Sequence, residues 1–186
     1  MVWFIVIVAL LLVIGPILYL LPSRQEKDQR HYRDAARAAG LTVELAQLYK
    51  IESEARERVS AGGERRTPRF PCARYGMPQS QPLTRLPEVH LVRGRTLGWQ
   101  ANPEQQDSGN SSLGAVIAPF LEKMPTTVRG LAVTSSMVWV YWLESPGNDA
   151  KIPVSVDQAV AQVNVLAELL RGLRMAVAAW HAQTIS

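Results

Sequence analysis

The feature that most limits what this chain can become is its opening run, Val2 to Leu21, which reads VWFIVIVALLLVIGPILYLL without one charged side chain. Twenty helical residues rise about 30 Å, the thickness of a bilayer's hydrocarbon core. A helix in the core of a small domain rarely needs that length, so residues 1–22 read as a transmembrane anchor. A cleaved signal peptide would want a basic residue ahead of a shorter apolar run and a small-x-small cleavage site; none of these is present. Gly15 and Pro16 fall inside the run, where membrane helices tolerate them. Trp3 and Tyr19 lie near its opposite ends, where amphipathic rings favour the two interfaces.

Charge sets the expected orientation. Arg24, Lys27, Arg30, Arg33 and Arg37 follow the run closely, and no basic side chain precedes it. The positive-inside rule then places the amino terminus outside and residues 22–186 in the cytoplasm, at the inner membrane if the cell is bacterial. The expected membrane-interface residues are Trp3, Tyr19, Arg24, Lys27, Arg30 and Arg33, with the lipid bilayer as first partner.

Beyond residue 21 the composition changes. Of the remaining 165 residues 69 are apolar, and these 165 carry all 36 charges, which is the make-up of an ordinary globular domain. Ser23 and Glu26 have capping-box spacing and Gly40 can take a left-handed cap, so residues 23–40 read as a basic juxtamembrane helix. Residues 41–186 read as one cytoplasmic α+β domain. Leu41, Val43 and Leu45 alternate with polar residues as a half-buried strand would, while a competing helical spacing runs on through Leu48, Ala55 and Val59. Residues 61–87 are rich in Gly, Pro and Arg and read as irregular chain or short edge strands. Val89, Leu91, Leu97 and Trp99 suggest a strand or hairpin.

The clearest signals come last. A helix around Ala115 to Lys123, interrupted by Pro119, leads into Val128 to Thr134, a Ser135-Ser136 turn and the strand MVWVYWLE. Ser155 and Gln158 form a capping box that opens a helix from Val156 to about Ala182. The expected fold is α+β: a transmembrane helix, a juxtamembrane helix, and an antiparallel sheet covered by a long carboxy-terminal helix.

Two features bear on partners. Ala159, Val163, Leu166, Leu170, Leu173, Val177 and Trp180 are spaced 4, 3, 4, 3, 4, 3, the seam of a coiled coil. Val163, Leu166, Leu170, Leu173 and Val177 are therefore a possible partner face, although Val160, Val165 and Leu169 widen the stripe as in a helix lying on a sheet. Arg65, Arg66, Arg69 and Arg74, interleaved with Phe70 and Tyr75, read first as a solvated loop, then as a lipid-headgroup surface, and last as a nucleic-acid grip.

Signals for catalysis are poor. No nucleophile elbow, zinc-protease motif or phosphate-binding loop is written here, and no two histidines stand three or four apart. His31, His90 and His181 read as structural or solvated. Cys72, the lone cysteine, excludes an internal disulfide and has no evident base partner. No catalytic residue, cofactor or metal is expected.

The text Tyr19-Leu20-Leu21, Pro22, Gln25, Lys27 and Arg30 resembles the start of YajC, the small accessory subunit of the bacterial Sec translocon, over about a fifth of the chain. More loosely, the whole resembles proteobacterial single-pass inner-membrane proteins with a small cytoplasmic domain. The first resemblance implies an accessory role at a translocase, and the second implies placement without an activity. The leading expectation is a non-enzymatic interaction or scaffold domain that binds another protein or its own copy, not nucleic acid. An enzyme with an unrecognised site is the remaining alternative.

Overall fold

The computed structural model describes residues 3, 24–105, 111–144 and 155–184. Along these run α1 (Arg24–Ala38), β1 (Thr42–Tyr49), a 3-10 turn (Ala55–Arg58), β2 (Arg69–Pro78), β3 (Val89–Arg93) and β4 (Trp99–Ala101). They are followed by α2 (Ser111–Lys123), β5 (Val128–Val133), β6 (Met137–Trp142) and α3 (Val156–Thr184).

The expectation of a membrane-spanning helix is corrected. Among the described residues no helix is long and apolar enough to cross a membrane. The one helix with sufficient length, α3, carries Asp157, Glu168, Arg171 and Arg174, and buries Val163, Leu166, Leu170, Leu173 and Val177 in the domain core. The run Val2 to Leu21 lies outside the described residues except for Trp3, which is helical and exposed. The architecture is an α+β domain built on a six-stranded antiparallel sheet, and it does not carry the single-pass description.

The strand order is β1-β2-β6-β5-β3-β4, with every neighbouring pair antiparallel. Helix α3 lies in the middle of one face, between α1 and α2. Its ends follow from local chemistry: the Ser155 hydroxyl accepts from the Gln158 amide at 3.2 Å, and the Gln158 side chain accepts from the Ser155 amide at 3.3 Å. Helix α1 stops where Gly40 adopts φ +80° and the Leu41 amide reaches back to the Ala36 carbonyl at 2.9 Å. The core gathers Tyr32 and Ala36 of α1, Leu113 and Ile117 of α2, Leu166 and Leu170 of α3, and Tyr75, Leu131, Val138 and Val140 of the sheet. Burying each of the larger aliphatic side chains contributes about 2 kcal/mol.

Strand β2 is the chief departure from the periodicity-based expectation, because it runs through the centre of the stretch 61–87 read as irregular. Its two prolines explain how. The Gln79 amide bonds the Ser136 carbonyl in register with the β2–β6 ladder, so odd residues of β2 turn their amides toward β6. Strand β6 ends at Trp142 opposite Ala73, so Pro71 faces a position where no partner strand remains. Pro78 turns the other way, toward β1, beyond the last pair Thr42–Gly76. Neither proline removes a ladder bond, which is the condition for proline inside a sheet.

The sheet also curls. In a flat sheet β1 and β5, three strands apart, would be about 14 Å from one another. Leu48 of β1 nevertheless covers Gly130 of β5 so closely that a Cβ there would stand 2.9 Å from its Cδ2. Leu48, Cys72 and Val92 form a second small core on this face, joined by Phe70 and Tyr141. The two ends of the sheet are tied together by polar contacts. The Glu52 carboxylate, just past β1, accepts from the amides of Arg95, Thr96 and Leu97 at 2.9, 2.7 and 2.9 Å and from the Thr96 hydroxyl at 2.7 Å. Those donors belong to the β3–β4 loop, and a Cβ on Gly94 would stand 2.5 Å from the same carboxylate. Arg69 of β2 meets Glu104, just past β4, at 2.7 Å.

Candidate functional site

Two adjoining features stand out, an open groove and a free sheet edge. The groove, of about 1110 Å³, forms where β1 and β2 run on past the end of β6 and α1 overhangs the gap. One wall carries a buried charge network. Arg33 of α1 grips Glu144 with two bonds, at 2.8 and 2.7 Å, and the Tyr75 hydroxyl donates to the same carboxylate at 2.6 Å. Glu144 follows β6, and its side chain is only 3% exposed. Beside it, Trp142 meets the edges of Tyr32 and Tyr75 at centroid distances of 4.9 and 5.2 Å and donates through its indole to the Thr127 hydroxyl at 2.8 Å.

The electrostatics suit binding better than proton transfer. Burial, then the bond to Glu144, raises the Tyr75 pKa far above that of an ordinary phenol. The bond to Glu144 likewise raises that of Arg33. Cys72, buried in the groove wall, has its thiol pushed up to about 12, chiefly by burial and then by Glu144, so it stays protonated at neutral pH. On the opposite side Arg95 and Arg129 line the same groove. Burial, then Arg95 and Arg93, lowers the Arg129 pKa.

Among the described residues no strand pairs with the outer side of β1, which is a free edge of the sheet. The Lys50 amide bonds the Pro68 carbonyl in register with the β1–β2 ladder, so even residues of β1 turn toward β2. The amides and carbonyls of Val43, Leu45, Gln47 and Tyr49 therefore point off the sheet. The strand is eight residues long, holds neither Pro, Lys nor Arg, carries Glu44 as its one charged residue, and runs in register without a bulge, so among the described residues its edge is lightly protected. The core reaches Val43 but not Leu45, which is 76% exposed.

The residues expected to carry function are placed as follows. Val163, Leu166, Leu170, Leu173 and Val177 are all buried beneath α3 in the core, so the seam faces the sheet. Arg33 belongs to the Glu144 network; Lys27 and Arg30 lie on α1, where Arg30 is exposed beside Asp34. Arg24 opens α1, Trp3 is exposed, and Tyr19 lies outside the described residues. The arginine cluster is dispersed: Arg74 pairs with Glu44 at 2.5 Å and lies 4.3 Å over the Trp139 ring, Arg69 pairs with Glu104, and Arg66 donates to the Glu57 carbonyl.

Sequence reasoning did not single out Glu144, Arg129 or Glu52, and it placed Tyr75 with the arginine cluster, whereas its hydroxyl is buried against Glu144. Only Glu144, one carboxylate ending an apolar strand, leaves a trace in the text. Together the elements define a class: an α+β domain whose curled antiparallel sheet is covered on one face by three helices, with an open groove and a lightly protected edge. No protein-family model, no curated protein and no solved structure matches this chain.

Proposed function

We propose that this is a non-enzymatic interaction domain that works by adding a strand to β1, and that the added strand is β1 of a second copy. The observation that carries the reading is the β1 edge, where four alternate residues, the exposed Leu45 among them, turn backbone donors and acceptors outward. An antiparallel pair about a two-fold axis at Gln47 is self-complementary. It sets Leu45 opposite the second copy's Tyr49, so an apolar side chain is covered, and brings the Glu44–Arg74 pair beside the second copy's Lys50–Glu57 pair, so that charges alternate across the seam. The groove supports the non-enzymatic part, since its buried carboxylate, Glu144, is engaged by Arg33 and Tyr75 and its thiol is held neutral.

Sedimentation or light scattering of the chain at increasing concentration tests the reading. A monomer–dimer equilibrium is expected. Gln47→Pro, which removes an outward amide without touching the β2 ladder, should shift the chain to monomer while leaving its circular dichroism unchanged. Glu44→Lys should weaken the dimer, and adding Lys50→Glu should restore it. A chain that stays monomeric throughout, or a proline variant that dimerises as well as the parent, overturns the proposal.

A further inference from the structure

We infer that the groove is also a binding site for a small oxyanion of the phosphate class, held by Arg129 and Arg95 with help from the Thr126 and Thr127 hydroxyls. The inference comes from following the positive charges around the groove to their partners. Arg33 is matched by Glu144, Arg74 by Glu44 and Arg69 by Glu104. Arg93 donates to the carbonyls of Met124 and Pro125 at 3.3 and 3.1 Å and lies 5.5 Å over the Trp99 ring. Arg129 is different: half-buried at the groove floor, it has no carboxylate partner among the described residues.

Among the described residues the carboxylate that acts on Arg129 is Glu52, and its oxygens are already engaged by three amides and a hydroxyl of the β3–β4 loop. Like charges at Arg95 and Arg93 and partial burial make this guanidinium costly to leave without a counter-ion. The groove also holds Glu26 on α1, so with Glu144 matched by Arg33 the lining carries one net positive charge, from three arginines against two glutamates. Thr127 accepts a bond from Trp142 and keeps its own hydroxyl hydrogen for donation. Planar guanidiniums with hydroxyl donors suit a tetrahedral anion with several acceptor oxygens, because each guanidinium can bond two of them at once.

Calorimetric titration of the whole chain with sodium phosphate, against sodium chloride at equal ionic strength, reads the site. Saturable binding of phosphate alone is expected. Arg129→Gln should weaken it about tenfold or more, as loss of a charge-assisted pair does. Arg95 is exposed, so a weakened affinity in Arg95→Gln at an unchanged melting temperature cannot be put down to misfolding. Phosphate affinity should be the same at chain concentrations below and above the range over which the chain self-associates, which separates this site from self-association. No saturable heat with phosphate, or unchanged affinity in both glutamine variants, overturns the inference.

Discussion

The network around Glu144 makes a sharp energetic prediction. Glu144→Ala would delete one carboxylate that accepts three hydrogen bonds from Arg33 and Tyr75. The Tyr75 side chain is fully buried, so its hydroxyl would lose its acceptor with no water to replace it. Arg33 is 28% exposed and could regain part of its solvation. Breaking a fully buried ion pair costs about 3–5 kcal/mol, and the access of Arg33 to water places this case near the lower end, at about 3 kcal/mol. For a domain of this size that corresponds to a melting temperature lower by about 6–12 °C. Tyr75→Phe, which leaves the ion pair intact, should cost only about 1.5 kcal/mol. Replacing Arg33 and Glu144 together by Met should cost less than Glu144→Ala alone, since no charge is then left without its partner. Urea unfolding followed by circular dichroism measures all three. A Glu144→Ala cost below about 1 kcal/mol, or a double replacement as costly as the sum of the singles, would refute the view that an orphaned charge dominates.

Two further outcomes follow from the curled sheet. The Thr96 hydroxyl, then the loop amides, lower the Glu52 pKa from 4.5 to about 2, so its carboxylate contributes stability that is complete above pH 4.5 and lost as pH falls toward 2. Unfolding midpoints taken across that window should fall in the parent chain, and Glu52→Gln should flatten this part of the slope. In the second case, Gly76→Ala should destabilise by about 2 kcal/mol, because the added methyl would stand 2.4 Å from the Trp139 ring, which is itself held down by Arg74. A Gly76→Ala variant as stable as the parent would show that the Trp139 ring moves aside freely.

How far the fold was legible depended on how local its causes are. The opening of α3 at Ser155 and Gln158, and the run of apolar residues that it buries, are carried by neighbours in the chain, so spacing alone revealed them. The same holds for β5 and β6 around the Ser135-Ser136 turn, where the Thr134 hydroxyl closes the connection through the Met137 amide at 3.1 Å. Spacing misled where one pattern fitted two structures. Residues 41–59 could be read as a strand or a helix, and only the pairing of β1 with β2 made them a strand as far as Tyr49. The opening apolar run is a different case: it lies almost wholly outside the described residues, and the helices that are described bury their apolar faces within the domain.

By itself, then, the amino-acid text determined an α+β domain with an antiparallel hairpin and a long final helix, because periodicity, caps and turns act over a few residues. Only the tertiary structure decided that a proline-bearing stretch would be a central strand, since that depends on which neighbour ends where. Tertiary structure alone also brought Arg33 to Glu144, 111 residues away, and closed a loop around Glu52 from 43 to 45 residues further on. A charge records nothing in the sequence about its distant partner, and the sheet's curl, which sets those partners face to face, exists only when all six strands are paired.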